Sequence, residues 1–276
     1  MNLKQLANEI STVYMQNKKV EAVMLGGSVS RNWDDEYSDI ELFIFWKEGP
    51  TEEDRKLPIS TLDGEIIDFH PYEEEEWSES YITNGVKLEI SNFLTDTIEQ
   101  IIHDVTVTFD TNLDKQCLVA AVHDGIALGG EGKVKQLKKK VEVYPEELSV
   151  AMIREHLDLG NRWNNREALL AREDWLMLSK VLTDVNTQLM GTLFGLNRLY
   201  VHHPAFKWQN HSLDQMKIIP PKAKERFSSI FLEKPIDRVR EIELLIAEIY
   251  QLVQKEHANL DLSDLMNRMQ FLRPKN

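Results

Sequence analysis

The chain reads as an α+β protein: a mixed sheet flanked by helices over the first ~110 residues, then a mainly helical second half. Three observations predict this. Short strand-like apolar runs recur up to Phe109, helical periodicity is sustained from Leu113 onward, and Gly129-Gly130-Glu131-Gly132 together with Pro145 break the chain between them. We place the boundary near Lys140, so that residues 1–140 form one domain and residues 141–276 a helical bundle.

In chain order, Leu3, Leu6, Ile10 and Val13 recur at helical spacing and predict a helix from Leu3 to Met15. Val20 to Leu25 is a buried-type strand stopped by the turn Gly26-Gly27-Ser28. Asp39 to Trp46 is a second strand, closed by Gly49-Pro50, and Thr51 to Arg55 is a charged helical stretch. Glu65 to His70 and Val86 to Leu94 read as strands flanking the acidic run Glu73 to Glu76, a solvated face. Val105 to Phe109 is a β-branched run ending at Asp110. Beyond it, Leu113 to Ile126, Glu147 to Leu159, Trp175 to Leu199, Lys222 to Phe231 and Arg238 to Glu256 carry apolar residues three and four apart, the mark of packed helices.

Composition narrows the function classes. Apolar residues make up 42% and charged residues 28% of 276, with 12 Gly and 9 Pro, so the chain can bury a core. Lys plus Arg is 32 against 46 for Asp plus Glu, a net charge of −14, which argues against duplex nucleic acid as a general partner. The single cysteine, Cys117, excludes an intrachain disulfide and any metal site on paired cysteines, and fits a reducing cytoplasm. There is no uninterrupted apolar run of signal-peptide or membrane-spanning type, so no membrane is expected as partner. Nothing in the sequence specifies an oligomeric state.

The chemistry-bearing stretch runs from Leu25-Gly26-Gly27-Ser28 through Arg31 to Ser38-Asp39-Ile40-Glu41-Leu42. Side chains alternate along a strand, so Asp39 and Glu41 project from one face, about 6–7 Å apart. Two carboxylates aimed together repel unless a cation intervenes, and Mg²⁺ is the usual partner of one or two carboxylates plus substrate phosphates. The turn at Gly27 and Ser28 has no bulk, so backbone N–H groups and the Ser28 hydroxyl can approach phosphate, and Arg31 can add a charged fork.

This pattern resembles the signature of the polymerase-beta-type nucleotidyltransferases: apolar-Gly-(Gly/Ser), a spacer, then alternating apolar and acidic residues. Among them it is most similar to the bacterial lincosamide and streptomycin nucleotidyltransferases. Ser38 departs from the pattern by standing where an apolar residue is usual, although Ser-Asp is common in the antibiotic-modifying members. The resemblance covers the first ~110 residues by motif and the remainder by helical character alone. It implies an Mg²⁺-dependent enzyme with Asp39 and Glu41 as metal ligands, which moves a nucleoside monophosphate, AMP from ATP by preference, to a hydroxyl of a small acceptor such as an antibiotic. It further implies a third carboxylate on a neighbouring strand, in an apolar-acid-apolar setting, to complete the metal site or serve as general base. Leu88-Glu89-Ile90 is the first choice and Ile67-Asp68-Phe69 the second.

The second half holds a polar and aromatic cluster from Asn197 to Trp208, which resembles the cleft-facing segment of bacterial nucleotidyltransferases. Lys207 is then expected to reach phosphate and Tyr200 or Trp208 to stack on a base, in a cleft between the two domains. Trp163, Trp175, Met190 and Phe194 read as core, and His123 and Asp124 as surface residues. The alternative from another class is a nucleotide-binding or protein-interaction module that keeps the fold without turnover.

Overall fold

The computed structural model describes residues 2–274. The chain divides into two compact units: the residues up to Thr108 with Leu118–Val143, and Phe109–Cys117 with the residues from Tyr144 onward.

The first unit begins with α1 (Leu3–Tyr14), β1 (Val20–Leu25) and the short helix α2 (Gly27–Arg31). It continues through β2 (Ile40–Trp46), α3 (Glu52–Thr61), β3 (Glu65–Phe69), β4 (Trp77–Thr83), β5 (Val86–Leu94) and α4 (Thr95–Thr106). Helix α5 (Leu113–Asp124) starts in the second unit and ends in the first, which closes with β6 (Ile126–Gly129) and α6 (Glu131–Val141). The six strands form one sheet in the order β3-β4-β5-β2-β1-β6. It is mixed, because β2 and β5 run parallel while the other neighbours are antiparallel. A parallel pair needs a crossover, and here α3, β3 and β4 supply it.

One face of this sheet is core. Ile40, Leu42, Ile44 and Trp46 of β2, with Leu88 and Ile90 of β5, pack with Leu6, Ile10 and Tyr14 of α1. Burying each such aliphatic side chain contributes about 1.5–3 kcal/mol. The opposite face of the same two strands carries Glu41, Lys87 and Glu89, which follows from the period of two, and Asp39 stands just before β2 beside Lys87.

The second unit contains α7 (Glu146–His156), a 3₁₀ turn (Trp163–Asn165), α8 (Arg166–Ala171), α9 (Trp175–Asn197) and α10 (Gln209–Gln215). It ends with α11 (Ala223–Leu232), α12 (Pro235–Glu256) and α13 (Ser263–Gln270). Helix α9 packs closely on α7, where Ser149 Oγ donates to the Gly195 carbonyl at 2.8 Å. Met152, Leu189, Leu193, Phe194, Ile242 and Ile249 are buried, as their helical spacing predicts. No helix among the described residues is long and apolar enough to cross a membrane.

Several elements differ from the sequence reading. Val105–Phe109 is not a strand: Ile98, Ile101, Ile102 and Val105 form the buried face of α4, and helical periodicity that starts upstream overrides β-branched content. Strand β4 is missed because its inward residue Glu79 is polar, so no apolar alternation marks it. Ile126 ends no helix; it opens β6, a short edge strand that pairs with β1. The Gly26-Gly27-Ser28 turn is the start of α2, with Gly26 as its N-cap. The helix predicted over Thr51–Arg55 extends to Thr61 from a reciprocal cap between Thr51 and Asp54.

Candidate active site

The sheet register assembles the acidic face. Glu41 pairs with Glu89 across the parallel β2–β5 ladder, Glu89 with Ser80 of β4, and Ser80 with Asp68 of β3. Residues paired across strands share a face, so Asp68, Ser80, Glu89 and Glu41 form one row. With strands about 4.8 Å apart, Glu89 stands one step from Glu41 and Asp68 three steps, roughly 14 Å. Ser80 Oγ donates to Asp68 Oδ2 at 3.3 Å, which ties that acid to the far side of the row.

Asp39 lies one residue before the Ile40–Leu88 pair and so falls beside Lys87. The Lys87 ammonium is 3.7 Å from Asp39 Oδ2 and in direct contact with Glu89 Oε1. The hydrogen bond to Glu89, more than any other influence, holds Lys87 above the ordinary lysine range, and the nearby charges of Glu89 and Asp39 add to it. Sequence reading missed Lys87 because its importance comes from cross-strand pairing; the alternating Lys-Leu-Glu of β5 was its only signal.

Gly27 touches the same cluster. Its φ is +61°, and a Cβ there would lie 2.3 Å from Glu41 Oε1, so glycine is needed both for the backbone and for the carboxylate to lie against it. Ser28 follows in the first turn of α2 and is buried; helix α2 has no side-chain cap, and the leading N–H groups of a helix lack intrahelical partners.

Arg31 has a different setting from the one expected. Its Nε donates to Asp124 Oδ2 at 2.7 Å, with the side chain 7% exposed, and its guanidinium lies 5.6 Å from the Trp33 ring. Asp124 Oδ1 in turn meets His123 Nδ1 at 2.6 Å. Arg31 Nε is thus part of an Arg31–Asp124–His123 chain; His123 is exposed, as expected of a surface residue, whereas Asp124 is half-buried. Arg31 and Asp124 lie 93 positions apart, too far for any local pattern to reveal.

Tyr200 and Lys207 belong to the second unit. Tyr200 is buried with its ring against Tyr144, at 4.9 Å between centroids, and burial pushes its hydroxyl up to about 12. Its ring is covered, so it offers no stacking surface of the kind expected. Lys207 is exposed, with Nζ 5.8 Å from the Trp208 ring.

The donor set of the acidic face consists of hard carboxylate oxygens, which fits Mg²⁺ in kind. Glu41 is the second residue of β2 and Asp39 stands just before the strand, while Glu89 is held by Lys87. Among the described residues no group of three His, Cys, Asp or Glu side chains is already arranged around a common ion position. Two protein carboxylates completed by substrate phosphates match the way Mg²⁺ is commonly held.

A domain of unknown function, DUF4037, matches residues 111–209. That stretch includes His123, Asp124, Tyr200 and Lys207 but none of Gly27, Asp39, Glu41 or Glu89. No curated protein matches the chain. Among solved structures, the chain is similar to a nucleotidyltransferase-like protein from Exiguobacterium sibiricum 255-15, with 14% identity over 92% of this chain and 75% of that chain and a TM-score of 0.37.

Proposed function

We propose that the protein is an Mg²⁺-dependent nucleotidyltransferase that moves a nucleoside monophosphate, AMP from ATP by preference, to a hydroxyl of a small acceptor. The observation that carries this reading is the pairing of Glu41 with Glu89 in the parallel β2–β5 ladder, with Asp39 just before β2 and Gly27 against Glu41. Asp39 and Glu41 would hold the ion, which supplies charge neutralisation to the phosphate oxygens when bound. Gly27 and Ser28 line the approach to the triphosphate. Glu89, rather than Asp68, takes the proton of the acceptor hydroxyl, because the register sets it beside Glu41. The hydroxyl oxygen then attacks the α-phosphorus in line with departing pyrophosphate. The acidic balance of the chain suits a cationic acceptor, and an antibiotic of that kind belongs on the test panel.

The test is incubation with labelled ATP, GTP, CTP and UTP, Mg²⁺ and a panel of hydroxylated acceptors that includes aminoglycosides and lincosamides. Acceptor-dependent release of pyrophosphate with a labelled product supports the proposal. Nucleotide retained without pyrophosphate release defeats it in favour of the second reading, a binding module without turnover. One observation favours that reading: Lys87 already supplies a positive charge between Asp39 and Glu89, so the acidic face does not need an ion to be tolerated.

A further inference from the structure

The acidic face contains its own cation, and its position bears on how an ion would enter. Lys87 is the second residue of β5, just after the Asn84–Gly85 turn that joins β4 to β5, and its side chain is 43% exposed. Its carboxylate neighbours are Asp39 at 3.7 Å and Glu89 in direct contact. The flanking cross-strand residue on β4 is Ile82, which is 40% exposed and offers no anion to hold the ammonium elsewhere. The lysine therefore bridges one expected metal ligand and the expected base through a flexible stem at an open edge of the site.

We propose that Lys87 is a placeholder cation: it occupies the space between Asp39 and Glu89 in the ion-free protein and gives it up when a divalent ion enters. This rests on the nucleotidyltransferase reading and adds to it a regulation of the same site. An ammonium and a divalent cation repel when both are drawn to Asp39, so binding of one weakens binding of the other. On release, Glu89 is freed from the contact that blocks its lone pair.

The experiment is calorimetric titration of the full chain with Mn²⁺ alone at low ionic strength, comparing the wild type with Lys87→Met and Lys87→Arg, and Lys87→Gln standing in should the methionine variant fail to fold. Removing the charge is expected to tighten Mn²⁺ binding roughly tenfold, whereas Lys87→Arg keeps it near the wild type. Thermal melts give a second readout: the uncharged variant loses stability in chelator and recovers it with Mn²⁺, and the wild type changes less. Asp39→Asn in the Lys87→Met background should abolish the tightened binding. Equal or weaker Mn²⁺ affinity in Lys87→Met overturns the placeholder role, as does tightened binding that survives Asp39→Asn. Should the wild type still release pyrophosphate in an ion-dependent way, only the placeholder role falls. If no variant binds Mn²⁺ and no pyrophosphate is released, the nucleotidyltransferase reading falls with it.

Discussion

On one face of the sheet Arg55 Nη1 meets Glu79 Oε2 at 2.9 Å, with side chains 2% and 0% exposed; on the other Lys87 meets Glu89, with side chains 43% and 50% exposed. The buried pair has further partners, although Arg55 Nε is buried without one. Asn92 donates to Glu79 at 2.9 Å and accepts from the Trp46 indole, and the Arg55 guanidinium lies 3.9 Å from the Phe69 ring. Even so, desolvation outweighs these partners and pushes the Glu79 carboxyl up to about 7. The open pair stays in contact with water, its charges are cheap to keep, and its partners can be exchanged. The difference teaches that the same pairing of cation and carboxylate is architecture where water is excluded and a usable site where it is admitted.

The largest expected effect lies on the open face. Asp39→Asn and Glu41→Gln should each abolish metal-dependent pyrophosphate release, while circular dichroism melts move by no more than about 2 °C. A melt that collapses in either variant would mean that these acids belong to the fold, as Glu79 does. Next, Glu89→Gln should lower kcat by roughly 10²–10⁴-fold with the KM for nucleotide nearly unchanged, the pattern of a lost general base. Asp68→Asn, three strands from Glu41, should stay close to the wild type. The reverse outcome would move the base to β3.

On the buried face, Arg55→Met should destabilise by about 3–5 kcal/mol in urea unfolding at pH 8, because it leaves Glu79 either charged without its partner or forced to take up a proton at that pH. The loss should shrink at pH 5, where Glu79 takes up a proton. In the wild type the sign follows from the raised carboxyl: the contribution of Glu79 is fully present below its ordinary 4.5 and is lost as pH rises through about 7. Glu79→Gln should flatten that slope. Asp54 runs the other way: hydrogen bonds from Thr51, Lys19 and Asn17 overcome desolvation and hold it well below its ordinary value, so its contribution is lost only in strong acid. A smaller loss of stability than that of Arg55→Met is expected of Gly27→Ala, about 1–2 kcal/mol of backbone strain at a positive φ. Its Cβ would also displace the Glu41 carboxylate, so activity should fall by more than stability alone explains.

The spans of β1 and β5, Val20–Leu25 and Val86–Leu94, are readable from the chain, because a strand buried on at least one face must show its apolar residues locally. The long helices of the second unit are readable for the same reason at a period of 3.6. So is the shared face of Asp39 and Glu41, since period-two alternation is a property of one strand alone. Strand β4 is not, because its buried Glu79 is stabilised by Arg55 and Asn92 from other elements. Arg31 is expected at phosphate and is found with Asp124, and Tyr200 is expected to stack on a ligand and is found against Tyr144. In both cases a side chain's local chemistry states what it can bind, and only the folded chain states what reaches it first. Sequence by itself determined that β1 stops at Gly26 and that two acids stand two residues apart where the next strand begins. Tertiary structure decided that β5 returns parallel to β2, which sets Glu89 beside Glu41 and Lys87 beside Asp39, since strand order depends on the crossover between strands and on packing of the whole sheet.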